Sequence, residues 1–331
     1  MDVISSQLSA IQPGTVVVFG GSGFIGTRLT GLMAEHHIPV RIGDVKPSEV
    51  FPDLWTQCDV RRQDSLGELS RGASAIINLA AEHRDDVRPV SRYHETNVEG
   101  ASQVCLAARN AGIQKIIFTS SVAVYGFHPY PVDECGPFAP FNEYGSTKLE
   151  AEGIYQAWAE EDPSRMLVIV RPTVVFGEGN RGNVYNLLHQ IASGRFLMVG
   201  SGKNVKSIAY VGNIVAFLMN TLSMGPGIHV FNYVDGPDMN TKTLIGHIRR
   251  CLAKPGTVPR IPKTVALTGG YVLDGLARLT GQKFPISAVR VHKFCENTQF
   301  RAERVAKMGF IPPYSLDEGL ARTIQFEFAT K

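Results

Sequence analysis

The sequence predicts an α/β fold, a doubly wound parallel sheet with a smaller, partly inserted C-terminal region. Three observations predict it. Short apolar runs recur through the first half: "TVVVF" (15–19), "AIINL" (75–79), "KIIFT" (115–119) and "MLVIV" (166–170). Stretches of helical character separate them, and a glycine-rich turn follows the first run. Runs apolar at nearly every residue suit strands buried on both faces. Repeated β-α-β units of this kind give parallel strands with helices on both sides of the sheet.

After the first strand, a helix is expected from about Phe24 to His37 and a second strand at Val40–Gly43. Further helices are expected near Val90–Ala111 and Glu143–Glu160. The second half is richer in turn signals, "GEGNRG" (177–182), "GSGKN" (200–204) and "DGP" (235–237). Helices are expected there over Val184–Ser193 and Gly212–Leu222, and a strand over Ile228–Tyr233. Prolines at 255, 259 and 262 suggest a surface excursion.

Composition narrows the class. Of the 331 residues 44% are hydrophobic and 19% charged, enough for a sizeable core. A net charge of +3 gives no electrostatic case for nucleic acid. The cysteines, Cys58, Cys105, Cys135, Cys251 and Cys295, are odd in number and show no C-x-x-C pairing. Most are expected in apolar surroundings, in a reducing compartment and without a zinc site. Met1 to Ala10 has neither the basic start nor the apolar run of a signal peptide. The stretch Thr264–Thr280 is interrupted by Gly269-Gly270, Asp274 and Arg278, too broken to span a membrane. It reads as a peripheral or subunit-contact helix, and the protein as cytoplasmic.

"FGGSGFIG" sets Gly20, Gly23 and Gly26 in a G-x-x-G-x-x-G pattern between the first strand and the first helix. Glycines there allow a tight turn, let the backbone approach a pyrophosphate, and let helix and strand pack closely. The helix N-terminus, opening at Phe24 and Ile25, offers free N–H groups to phosphate. Asp44 ends the second strand, about twenty residues on, where a carboxylate accepts from ribose hydroxyls and repels a 2′-phosphate. NAD is therefore favoured over NADP, although Lys46 lies close by, and Asp44 can equally start the turn before Pro47.

"FTSSVAVYG" (118–126) follows a strand at its carboxyl end, where parallel sheets bind ligands. Beyond it, Tyr144 and Lys148 stand four apart on one helix face in "NEYGSTK". A phenol of pKa about 10 is too weak a base at neutral pH unless a nearby cation stabilises its phenolate. Gly145 and Ser146 are small enough for a cofactor to lie against the helix.

Strand, glycine turn, acid after the second strand, "NLAA" (78–81), serine before "VYG" and Y-x-x-x-K together resemble the extended short-chain dehydrogenase/reductases. More narrowly they resemble the NAD-dependent nucleotide-sugar epimerase/dehydratase family, UDP-glucose 4-epimerase-like, from about residue 14 onward. The resemblance implies a Rossmann-type NAD-binding domain over residues 13–176, with 205–235 returning to it. It implies a sugar-nucleotide-binding region over 177–204 and 236–331.

By the same resemblance Ser121, Tyr144 and Lys148 are catalytic, and Asp59 with Val60 hold the adenine. Leu79, Ala80 and Ala81 line the cofactor, and Asn97 supports the active-site helix. "RPTVVFG" (171–177) leads to the sugar-nucleotide site, with Asn186, or Asn183 in its place, on the UDP moiety. Lys206 replaces the usual diphosphate arginine, and Arg290 is a second diphosphate contact, although both also suit ordinary surface cations. His83 is either a substrate contact or a solvated loop residue. No metal is expected.

Where related dehydratases carry acids, this chain has Val122 and Ala123, which transfer no proton, so dehydration and decarboxylation are disfavoured. Three readings follow. The first is a UDP-hexose or UDP-N-acetylhexosamine 4-epimerase working through a transient 4-keto sugar. The second is an NAD(P)H-dependent 4-ketoreductase of a nucleotide 4-keto-6-deoxy sugar in surface-polysaccharide synthesis. The third is a silent dinucleotide-binding protein. Helices near 90–111 and 143–160 would form the homodimer contact usual in the family. Near Asn297, a small side chain beside the sugar's C2 would admit an acetamido group.

Overall fold

Val16–Phe19 (β1) is buried at every residue, and alternate side chains enter two separate cores. Val16 and Val18 join one core with Leu29 and Met33, while Val17 and Phe19 join the other with Val104 and Trp158. That two-sided burial is why the strand carries no polar alternation. The computed structural model describes residues 14–84, 87–254, 256–280 and 288–328.

The chain continues through Phe24–Glu35 (α1), Val40–Asp44 (β2), Trp55–Gln57 (β3), Gln63–Ser70 (α2) and Ala75–Asn78 (β4). Next come Ser91–His94 (α3), a π turn at Glu95–Glu99, Gly100–Ala111 (α4), Lys115–Thr119 (β5), Glu143–Glu160 (α5) and Met166–Pro172 (β6). Then the chain leaves the sheet. It builds Val174–Phe176 (β7), Asn183–Ala192 (α6), Met198–Val199 (β8) and Val205–Tyr210 (β9). Helix Val211–Thr221 (α7) leads back to Gly227–Tyr233 (β10). Asp235–Asn240 (β11), Thr241–Cys251 (α8), Arg260–Ile261 (β12), Lys263–Thr280 (α9), Ala288–Cys295 (α10), Glu303–Lys307 (α11) and Leu316–Phe328 (α12) follow.

The main sheet has seven parallel strands in the order β10-β6-β5-β4-β1-β2-β3. The order reverses between β1 and β4, so a crevice opens there at the strand carboxyl ends, the usual ligand position in such sheets. A second sheet, β11-β9-β7, and a pair, β12-β8, lie outside the first. β9 belongs to the second sheet, whereas β10 completes the edge of the main one.

Cysteines depart from expectation: only Cys58 and Cys105 are buried, Cys135 and Cys251 are exposed, and Cys295 is intermediate. The helices that carry the last two are amphipathic surface elements, which tolerate an outward thiol. Among the described residues no helix is long and apolar enough to cross a membrane. Nor do any three or more of their His, Cys, Asp and Glu side chains form a metal-holding group.

Candidate active site

The glycine turn forms because bare backbone is needed there. Gly20 has φ of 76°, and a Cβ on it would lie 2.6 Å from the Ala80 nitrogen. A Cβ on Gly26 would lie 2.5 Å from the Gly21 Cα. The turn and the "LAA" segment are therefore pressed together at the switch point. Phe24, Ile25 and Leu79 are half-buried against the same core. Gly23 is the N-cap of α1 and supplies no side-chain acceptor for its first N–H groups, which suits a phosphate.

Asp44 does start the turn weighed for it and also bonds the glycine turn. Its Oδ1 accepts from the Lys46 N–H at 3.0 Å, holding the turn, and its Oδ2 accepts from Ser22 N–H in the glycine turn at 3.1 Å. A carboxylate oxygen retains acceptor capacity beyond one such bond, so the residue still fits a ribose diol. Asp59 is clamped by its neighbour: Arg61 Nη2 lies 2.6 Å from Oδ2 and Nε 2.9 Å from Oδ1. The guanidinium bonds hold the Asp59 carboxyl below its ordinary range. Val60 is buried beneath, and a Cβ on Gly100 would meet it at 3.0 Å.

Helix α5 starts at Asn142, whose side chain accepts from Gly145 N–H at 2.9 Å. One face then presents Tyr144, Lys148, Glu152 and Tyr155 at helical spacing. Each addresses the end of a strand or the residues just beyond it. Tyr155 hydroxyl accepts from Asn78 at 2.7 Å, and Lys148 Nζ donates to the Thr119 carbonyl at 2.7 Å. Glu152 accepts from Ser120 hydroxyl at 2.5 Å, and from Arg171 Nε at 2.9 Å and Nη2 at 2.5 Å.

Ser121 and Tyr144 meet. The Ser121 oxygen accepts from Ala123 N–H at 3.1 Å, which leaves its O–H to be donated. Burial raises the Tyr144 phenol above its usual range, and the hydrogen bond with Ser121 opposes the rise. Burial depresses Lys148 to about 7 against a partial lift from Glu152. Its ammonium also lies over the Phe118 ring, 4.4 Å from the centroid. Asn97 ties the parts together: it accepts from Glu82 N–H at 2.9 Å, donates to the Glu82 carbonyl at 3.1 Å, and donates to Thr147 on α5 at 3.0 Å.

Two expectations change in meaning. A Cβ on Gly145 would sit 2.6 Å from the Ala123 carbonyl, so this glycine admits the turn after Ser121 rather than a cofactor. Ser146 is exposed. Sequence reasoning also passed over Glu152 and Arg171, whose ion pair is almost wholly buried. Tyr125 hydroxyl takes Arg171 Nη1 at 2.6 Å and donates to Asn232 at 2.8 Å, extending the network to β10. No local pattern marks the pair, because Glu152 shares its helix with Glu143, Glu150 and Glu160.

The expected substrate residues are spread over separate elements. Asn183 and Asn186 are exposed on the first turn of α6. Lys206, on β9, donates to the Glu296 carbonyl at 2.7 Å, and burial pulls it down to about 8. Arg290 falls in α10, and its side chain lies outside the described residues. His83 is exposed, its Nδ1 3.5 Å from the Ala81 carbonyl.

Residues 16–232 match the NAD dependent epimerase/dehydratase family. Across 315 residues, 95% of either chain, the sequence is 46% identical to the N-acetyl-alpha-D-glucosaminyl-diphospho-ditrans,octacis-undecaprenol 4-epimerase of Escherichia coli O157:H7. Among solved structures, the UDP-glucose 4-epimerase of Thermus thermophilus complexed with NAD shares the fold. Its TM-score is 0.74, with 19% identity over 94% of this chain and 98% of that one. The UDP-N-acetylglucosamine 4-epimerase of Methanobrevibacter ruminantium M1, solved with UDP-N-acetylmuramic acid, gives a TM-score of 0.75. There the identity is 22%, over 96% and 99% of the two chains. With a glycine turn, an acid at the end of β2 bonded to that turn, and a Ser-Tyr-Lys set on α5 and the loop after β5, the chain belongs to the NAD dependent epimerase/dehydratase family, and its cofactor is NAD.

Proposed function

We propose that the protein epimerises C4 of an N-acetylhexosamine carried on a diphosphate, with a polyprenyl chain as the carrier. The geometry of Ser121, Tyr144 and Lys148 carries the chemistry, and the 46% identity along the whole chain to a polyprenol-linked sugar 4-epimerase supports the carrier.

Bound NAD, held at Gly20, Gly23, Gly26, Asp44 and Lys148, supplies the hydride acceptor and donor for the sugar carbon. The remaining work belongs to the side chains. Tyr144 takes the proton of the 4-hydroxyl and later gives it back. Ser121, its oxygen positioned by the Ala123 N–H, donates its O–H to the reacting oxygen. The Lys148 ammonium lowers the cost of a tyrosinate beside it. Val122 and Ala123 provide no second acid or base, so no side chain there would take part in dehydrating a 4-keto sugar. Lys206 and Arg290 hold the diphosphate, Asn183 or Asn186 the adjoining group, and Asp59 with Val60 the adenine. The enzyme works as a homodimer through α4 and α5, on the cytoplasmic side.

A UDP-sugar is the second reading. The shared fold with UDP-sugar epimerases and the place of Asn186, or Asn183 in its stead, support it, while Lys206 departs from that family's usual diphosphate arginine. One assay separates the readings. Purified protein is incubated without added NADH with N-acetylglucosaminyl-diphospho-undecaprenol, UDP-N-acetylglucosamine and UDP-glucose, and C4 epimers are resolved by chromatography. Turnover of the lipid-linked sugar with little on the UDP-sugars is expected. Activity that requires stoichiometric NADH and a keto sugar would instead make it a reductase.

A further inference from the structure

Helix α9 turns an uncharged apolar face outward. Val265 is 59% exposed, Tyr271 66%, Val272 58% and Leu276 43%. At helical spacing Val265, Gly269, Val272 and Leu276 share one side, and Tyr271 flanks it. Asp274 lies on the opposite side, where its Oδ2 accepts from the Ala288 N–H of α10 at 3.0 Å. A surface helix ordinarily shows water its charges and hides its valines; here the arrangement is reversed.

Charge is segregated along the segment that bears this face. From Met239 to Cys295 the sequence carries ten Lys and Arg against a single acid, Asp274. The rest of the chain carries twenty-three basic against twenty-nine acidic residues. The segment that bears α9 is therefore strongly basic within a protein whose remainder is acidic. Lys242, Arg250, Lys254, Arg260 and Lys263 in it are exposed.

We propose that α9 lies in the surface of an anionic lipid bilayer, its Val265–Leu276 face buried among the headgroups and the exposed cations of its segment drawn to the lipid phosphates. A helix of 18 residues with broken hydrophobicity suits that interfacial position and not a span. Tyrosine is at home in such an interface. The foot of the helix is fastened to the substrate side: Lys263 pairs with the Glu296 carboxylate at 3.4 Å, and Lys206 holds the Glu296 carbonyl. A docked α9 sets the diphosphate residues near the headgroup plane, where a polyprenyl-linked diphosphate lies. The choice of a bilayer as occupant rests on the polyprenyl-diphosphate reading above.

The test is flotation of the full-length protein with vesicles of phosphatidylcholine, alone or containing phosphatidylglycerol. Wild type is expected to float with the anionic vesicles at low salt, and Val272→Ser/Leu276→Ser to lose about tenfold in affinity. Both proteins should epimerise a water-soluble short-chain prenyl-diphospho-N-acetylglucosamine equally. No flotation of wild type, or equal flotation of the variant, overturns the docking. A variant that changes the oligomeric mass in sedimentation, with vesicle binding intact, makes the face a subunit contact and overturns it too. Failure of wild type on the soluble substrate strikes the functional reading instead, whatever the vesicles do.

Discussion

Lys148 and Glu152 stand one helical turn apart on α5, each only 2% exposed, and the carboxylate is bound to Arg171 rather than to the lysine. The lysine keeps a carbonyl and an aromatic ring for company. Burial, only partly opposed by Glu152, leaves it near 7 instead of the ordinary 10.5.

A pH dependence of stability follows for the cofactor-free protein. Between about 7 and 10.5 an unfolded lysine still holds the proton that folded Lys148 has lost. The unfolded state then binds more protons, so the contribution of this group to stability rises with pH, by about 1.4 kcal/mol per unit. Lys148→Met, which removes the term, should be more stable than wild type at pH 7 and keep only about half of that advantage at pH 9, the rest going as pH nears 10.5. Urea midpoints at both values measure it. Parallel curves for the two proteins would mean that the folded lysine keeps its proton.

Breaking the buried pair should be costly. Arg171→Met leaves Glu152 desolvated without its partner, a loss of about 3–5 kcal/mol. Adding Glu152→Gln should recover a large part of that, because no lone charge remains. Denaturant unfolding of the two single variants and the double gives the coupling. Simple additivity would show that the pair does not act as a unit.

Tyr144→Phe should reduce kcat by about 10²–10⁴ while NAD content stays at the wild-type level. Ser121→Ala should reduce it less and also destabilise the protein by ~1 kcal/mol, since Ala123 N–H loses its acceptor. Undiminished turnover of Tyr144→Phe on the identified substrate would falsify the assigned base.

Gly20→Ala should cost about 1–3 kcal/mol and displace NAD, because the new methyl meets Ala80 at a positive φ. Thermal melts with and without NAD read both effects. A wild-type shift on adding NAD would rule out close approach at this turn.

Much of the fold could be read from the sequence because its strands are buried on both faces. β1, β4, β5 and β6 announce themselves as unbroken apolar runs, and α5 runs over the expected Glu143–Glu160. β3 escaped notice, since "WTQ" is a half-exposed edge strand with no apolar run. The "DGP" segment read as a turn opens β11, because pairing with β9 rather than side-chain pattern makes it a strand.

The site was legible where one local spacing carries it, as in the glycine turn and the Tyr144–Lys148 step. Arg171 and Glu152 were not, because what singles them out is a mutual contact between separate elements. Asp59 entered only as an adenine contact implied by the resemblance, and nothing in that motif shows that Arg61 holds its carboxylate.

The π turn at Glu95–Glu99 makes its helix a ruler with one surplus tick. That extra residue lets Asn97 reach both Glu82 and Thr147 while Tyr93 before it and Ala101 after it stay inside. Excising one residue there would close a regular helix with its buried faces still in register, and would untether the loop after β4. Chain length at this point is therefore set by the reactive crevice, and packing alone would be content with a shorter protein.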